Sequence, residues 1–350
     1  MTVPPSCSRC VIRPFCGGTE HQMEIAGCLG CAFDCHANCD WVCPRKPDFP
    51  ECVREVRGLS SKLSTLLSVS TALPEYVPMI RNGFSRARPL SSTFVAIPIG
   101  EFMYHSDSKY QPIADDASQL RSLLHLRADA KILLVSVAPD RHLERFWALR
   151  HATNLYVKLS KLGLSGMTTP NFSFFEDAPR IHTIWNRRRI ICVAEELAKN
   201  GIPSIPHVNA LTEWDWMFWR DLLRDHTEIT SVAKEFQTGL RHPDKAAAAL
   251  GWIERLRDSI GREIHPIVIG GAKHTARVAR SFKAFTIIDS GPFIKAVKRQ
   301  RRTLRGKWRR VPTLPGQPID DLLEANITRQ SDWIRMTAAS ARQESLQFAC

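Results

Sequence analysis

Long apolar runs are missing from this chain of 350 residues. No stretch approaches the roughly 18 residues that a membrane-crossing helix requires, and the polar start MTVPPSCSRC does not read as a secretory signal. Neither a membrane span nor an export leader is expected, and the expected location is the cytoplasm. A Walker-type phosphate loop is also missing, which argues against a nucleoside triphosphatase. No internal repeat is present, so nothing suggests a repeat architecture. Acid is scarce relative to base: 35 Asp and Glu face 48 Lys and Arg, giving a formal net charge of +13. An excess of that size points to a polyanionic partner, most simply nucleic acid. Cysteine is nearly absent beyond residue 52, where only Cys192 and Cys350 occur.

The other nine cysteines crowd into the first 52 residues. They run Cys7-x2-Cys10-x5-Cys16-Gly-Gly, then Cys28-x2-Cys31-x3-Cys35-x3-Cys39-x3-Cys43-Pro, then Cys52, with His21 and His36 between them. A segment this short with few large aliphatics cannot close a core unaided, and in a reducing compartment such a density of thiols holds metal rather than disulfides. All nine are therefore candidate ligands of a small metal-binding domain spanning residues 1–52. Cysteine pairs two residues apart suit tetrahedral zinc. CSRCVIRPFCGG resembles the Cys-x2-Cys-x5-Cys-Gly-Gly signature of auxiliary iron-sulfur domains, and Cys39-x3-Cys43-Pro resembles the end of a ferredoxin cluster motif. One or two 4Fe-4S clusters are expected, with zinc as the alternative.

Residues 53–75 read as a linker helix, with Val53, Val56, Leu59, Leu63 and Leu66 at helical spacing. Eight short apolar strands follow, over residues 76–80, 93–102, 131–137, 166–172, 202–208, 229–235, 265–269 and 285–290. Amphipathic helices are expected over 141–162, 178–199, 213–225, 243–260 and 272–284. Eight strands alternating with helices predict an α/β fold, a closed (β/α)8 TIM-like barrel over 76–311, with a doubly wound open sheet as runner-up. Beyond it, PTLPGQPIDD reads as a proline-rich linker, and residues 320–348 read as a terminal helix pair or partner-binding tail.

In a barrel, function sits where the strands end. Asp140 and Asp289 occupy two such ends, Asn171, His207 and Asn209 two others, and Gly270-Gly271 opens the segment after the seventh strand. Nine lysines and arginines lie in the sixteen residues from Lys295 to Arg310. Of these, Lys295, Lys298, Arg299, Arg301, Arg302 and Arg305 are candidate contacts to nucleic acid. A solvated basic helix is the plainer reading of the same run. Arg187-Arg188-Arg189 could touch phosphate or form a solvated face. The aromatics Trp214, Trp216, Phe218 and Trp219 read mainly as packing of their helix against the sheet.

The order of strand ends resembles the tRNA-guanine transglycosylases, and more closely the related enzymes that insert deazapurines into DNA. The resemblance rests on Asp289-Ser290-Gly291-Pro292-Phe293 followed by Lys295, on RIHTIWNRRRI (180–190) and on IPSIPHVNALTEWDW (202–216). The third predicted strand ends in Ser136-Val137-Ala138-Pro139-Asp140, where that family has Asp-Ser-Gly-Gly-Phe. The resemblance implies base exchange at a purine of DNA or tRNA. Asp289 would be the nucleophile at the anomeric carbon and Asp140 the proton-transfer partner. Asn171, His207 and Asn209 would face the base, and Gly270 and Gly271 would line its pocket. A noncatalytic nucleic-acid-binding protein and an iron-sulfur redox enzyme remain the alternatives.

Overall fold

The computed structural model describes residues 55–58, 63, 66–69, 72–82, 86–106, 109–175, 180–303, 306–314 and 316–347. The cysteine-rich head, with Cys7 to Cys52, lies outside the described residues. The fold is mixed α/β, with two four-stranded parallel sheets. One sheet contains β2 (Phe94–Pro98), β5 (Lys131–Val135), β6 (Gly166–Thr168) and β7 (Ser204–Ile205), paired in that order. The other runs β1 (Tyr76–Pro78), β10 (Thr286–Asp289), β9 (His265–Ile269) and β8 (Ser231–Glu235). The sheets meet at both edges through parallel bridges, Met79 to Ala96 and His207 to Ala233. Backbone bonds accompany them, Ile80 N–H to Ala96 O at 3.0 Å and Val208 N–H to Ala233 O at 3.0 Å.

All eight predicted strands are present, and their side chains alternate between two apolar layers. Val77, Ala96, Leu133, Ile205, Ala233, Ile267 and Ile288 form a core between the two sheets. The residues between them in sequence, such as Val95, Ile132, Val232, Val268 and Ile287, pack into the second core with the helices. On β6 the position facing the inner core is Gly166, where a Cβ would come within 2.8 Å of Val69. The missing side chain leaves room for the segment Leu66–Val69, which Ser204 holds by donating its N–H to Leu67 O at 2.8 Å. That segment has no helical structure, so the helix expected over 53–75 does not extend through it.

Helices cover the outside: α1 (Ile99–Phe102), α2 (Ala117–Leu123), α3 (Asp140–Leu149), α4 (Leu155–Ser160), α5 (Arg180–Lys199), α6 (Glu213–Asp225), α7 (Pro243–Ile260), α8 (Thr275–Ser281), α9 (Gly291–Val297) and α10 (Asp320–Gln347). Among the described residues no helix is long and apolar enough to cross a membrane. The second predicted strand stops early, because Pro98 cannot donate to a ladder and α1 starts directly after it. The helix expected over 141–162 divides into α3 and α4 at Asn154, whose φ of 51° is left-handed. The one expected over 272–284 opens as a 3-10 turn, Ala272–His274, before α8. The terminal segment is one helix, not a pair, and α10 packs against α8, α9 and β1. Between α9 and α10 the basic run turns into a hairpin of β11 (Gln300–Arg302) and β12 (Trp308–Arg310), where a solvated helix was the plainer expectation. A second hairpin, β3 (Met103–Ser106) with β4 (Lys109–Pro112), lies outside the parallel sheets.

The arginine triplet of α5 is buried and serves the fold. Arg187 pairs with Asp215 at 2.6 Å, both almost fully buried, and Arg189 grips both Glu144 oxygens at 2.6 and 2.7 Å. Asp215 also accepts the Leu211 N–H at 3.0 Å and closes a capping box with Thr212 at the start of α6. Removing it would strand a buried guanidinium. Asp215→Ala should therefore cost about 3–5 kcal/mol, read as a fall in the urea midpoint. A loss under about 1 kcal/mol would contradict this account.

Candidate functional site

Polar groups gather where β5, β6 and β7 end, because only there does the chain leave the apolar layers. His207 continues β7 and is fully buried. Its backbone N–H donates to Thr169 Oγ1 at 2.9 Å, and its ring Nδ1 lies against Thr169 O. A carbonyl only accepts, so Nδ1 carries the proton and Nε2 presents a lone pair. Nε2 is buried and has no hydrogen-bond partner. Burial holds the ring neutral, with its pKa lowered to about 3.

Beside it, Asn209 Nδ2 donates to Asn171 Oδ1 at 2.7 Å and to Phe172 O at 3.1 Å. The Asn209 Oδ1 accepts from Lys234 Nζ at 3.1 Å, and Lys234 also donates to Val208 O at 3.0 Å. Burial is the main cause that lowers the Lys234 pKa to about 8, against the pull of Glu235 and Asp215. Asn171 is held by its own N–H, which donates to Ser136 O at 2.9 Å. Asp140 opens α3 and accepts from Ser173 Oγ at 2.6 Å, two residues beyond Asn171. Four predicted site residues, Asp140, Asn171, His207 and Asn209, thus belong to adjoining strand ends. Lys234 and Ser136 escaped the sequence reading. The available signal was a lysine inside the short strand SVAKE, directly after its apolar pair Val232 and Ala233.

Asp289 lies elsewhere. Along β10, Ile288 belongs to the inner core and Ile287 to the helix-facing one, and Asp289 follows the parity of Ile287 toward α10. Its Oδ1 accepts the Gly291 N–H at 2.8 Å, and its Oδ2 accepts Gln330 Nε2 at 3.2 Å. Burial raises its pKa, opposed by the Gly291 N–H and by Arg302. Among the described residues Asp289 and Asp140 share no hydrogen-bond partner. Gly270 and Gly271 make a tight turn filled by the protein itself. Gly270 has φ +72°, and a Cβ there would fall 2.0 Å from Gln237 Cγ. At Gly271 it would fall 2.4 Å from Val268 Cγ1.

The basic stretch divides into two sets. Arg302 is buried, with its guanidinium 4.8 Å from the Trp333 ring. Arg299 donates to Gln317 O and Pro318 O, and Lys295 sits 5.7 Å over Trp308. Those three hold the fold. Lys298 and Arg301 are exposed, as are Lys307, Arg309 and Arg310, which the sequence reading did not single out. Arg305 lies outside the described residues. The aromatics Trp216, Phe218 and Trp219 are buried, as core packing requires. Among the described residues no three His, Cys, Asp or Glu side chains gather as a metal site. Cys192 is buried, and burial pushes its thiol up to about 11.

No protein-family model matches the sequence, and no curated protein matches it. The site is therefore interpreted from its own chemistry.

The His207 pKa carries a pH prediction. The folded value of about 3 lies below the unfolded value near 6.5. As pH falls from 6.5 toward 3, the unfolded chain takes up a proton that the folded chain refuses, and stability declines. The maximal slope from one such group is about 1.4 kcal/mol per pH unit. His207→Gln should remove about that much slope from urea stabilities measured between pH 6.5 and 4. An unchanged slope would show that His207 is protonated in the fold.

Proposed function

We propose that this protein is a nucleic-acid-modifying enzyme of the base-exchange type, built on a (β/α)8 barrel. The barrel reading is supported by the circuit of pairings, in which each edge of one parallel sheet bridges to an edge of the other. The observation that carries the nucleic-acid reading is the cationic surface after β10. Lys298, Arg301, Lys307, Arg309 and Arg310 are exposed and form no ion pair among the described residues. No Asp or Glu occurs between Asp289 and Asp320. Phosphates supply the missing counter-charge. An extruded base is then recognised at the ends of β5 to β7, where His207 Nε2 offers an acceptor.

In base exchange a carboxylate oxygen forms a bond to the anomeric carbon as the glycosidic C–N bond breaks. The purine leaves with that electron pair and takes a proton from an acid. The incoming base then displaces the carboxylate. Asp289 is the proposed nucleophile and Asp140 the proposed proton-transfer group. To attack, Asp289 releases the Gln330 amide and the Gly291 N–H that it now accepts. Asp289→Asn should lower release of free purine from purine-labelled DNA or tRNA by on the order of a thousandfold, with the binding constant unchanged. Unaltered release from the variant would remove Asp289 from the mechanism.

The bonds that tie Asp289 to Gln330 and Gly291 favour a second reading, a noncatalytic nucleic-acid-binding protein in which the head and the cationic surface supply affinity. Wild-type protein that binds but releases no purine would select it. For the head we propose one or two 4Fe-4S clusters on the thiolates between Cys7 and Cys52, in a reducing cytoplasm. Protein purified without oxygen should contain iron and sulfide and absorb broadly in the visible. Zinc alone would overturn the cluster, and with it any redox role.

A further inference from the structure

The β11–β12 hairpin has a defined solvent face. Its register places Arg301 directly opposite Arg309, and both are exposed. Side chains so paired lie about 5 Å apart at Cβ, and like charges there repel. The next pair, Arg302 with Trp308, belongs to the other face. Arg302 is buried, and the Trp308 ring lies 5.7 Å from Lys295 Nζ and 5.8 Å from the Arg302 guanidinium.

The ribbon is fixed to the body. The fully buried Asn326 of α10 accepts the Arg302 N–H at 2.9 Å and donates to Gln300 O at 2.8 Å. At the far end of the ribbon the Val311 N–H donates to Arg299 O at 2.9 Å. The two opposed arginines are therefore presented on a scaffold held by buried hydrogen bonds.

We propose that this face, built on Arg301 and Arg309 and flanked by the exposed Lys298 and Lys307, grips the phosphates of double-stranded DNA without reading its sequence. The inference rests on the nucleic-acid reading above and narrows its substrate to a duplex. Proteins that hold single strands stack bases on aromatic rings. Among the described residues of the ribbon the only aromatic is Trp308, which is half-buried on the opposite face beside Lys295 and Arg302. A two-stranded ribbon fits the major groove of B-form DNA, about 12 Å wide, whereas the deep, narrow major groove of A-form RNA excludes it. Paired cations without acids match two phosphate lines better than base edges, which arginine reads with a bidentate fork aimed at one guanine.

The test is fluorescence anisotropy with a labelled 20-base-pair DNA duplex and with one of its strands alone, titrated with the full chain between 50 and 200 mM salt. The duplex should bind more tightly than the single strand. The Arg301→Ala/Arg309→Ala variant should reduce the slope of log K against log salt by about 1.8, the loss of two phosphate contacts. A variant that removes the same charge from exposed positions elsewhere, Lys161→Ala/Arg224→Ala, should leave the slope unchanged, and circular dichroism should report the same fold for all three proteins. An unaltered slope in the arginine variant, or equal or tighter binding of the single strand, overturns this proposal while leaving the nucleic-acid reading intact. Failure of the wild-type chain to bind either probe overturns both.

Discussion

Every strand of the two parallel sheets is covered on both faces, and that double burial decides where polar chemistry can occur. Inward positions are mostly apolar, as Ala96, Leu133 and Ile288 are, or lack a side chain, as Gly166 does, and the one polar residue on β6, Thr168, accepts the Ser136 N–H. An outward position must suit a helix. Within the strands, charged and hydrogen-bonding groups gather at the ends, where backbone groups also lose their ladder partners. His207, Thr169, Asn171 and Asn209 meet there because each satisfies a backbone or side-chain group that another leaves open. The buried lone pair of His207 is the one position in that set left without a partner.

The alternation that makes this architecture was legible in the sequence. KILLVSV, HPIVI and FTIID are short aliphatic runs followed by residues that break a strand, Ala-Pro, Gly-Gly and Ser-Gly, and all three became strands close to their expected bounds. Helix ends marked by local chemistry were equally legible, as where α7 closes on Gly261 with a φ of 68°. What could not be read was the direction in which a strand-end side chain points. In sequence Asp289 is only a carboxylate at a strand end, and it is the pleat that turns it toward α10, where Gln330 donates to it. A basic run gives the same composition whether it forms a helix or a hairpin. Here the positive φ of Arg299, 54°, ends α9 and sends the cations into a ribbon. The partnership of Arg302 with Asn326 and Trp333 joins residues of the hairpin to a helix beyond a proline-rich connection, and no local pattern signals it.

Helix α10 is attached as much by polar groups as by its apolar side. Asp320 accepts the Ala87 N–H at 2.8 Å and lies 3.6 Å from the buried Arg86 guanidinium, which itself donates to Leu124 O and His125 O at 2.7 Å. Asn326 holds the hairpin and Gln330 holds Asp289. These contacts give the helix one registry, since sliding it by a turn would strand each buried group at once. Ile334, Ala338 and Ala341 supply area without direction.

The pairing of β1 with β10 carries a consequence for how the chain is made. The first of the eight described parallel strands finds its ladder partner only after the eighth has been synthesised, and its bridge to Ala96 covers one side alone. Until β10 arrives, Val77 and Met79 lack Ile288 beside them in the inner layer, and the open edge of β1 offers unpaired backbone to any passing strand. Nascent chains stalled before Thr286 thus expose an adhesive edge that the finished protein hides, so the cost of slow translation falls on a strand made more than two hundred residues earlier.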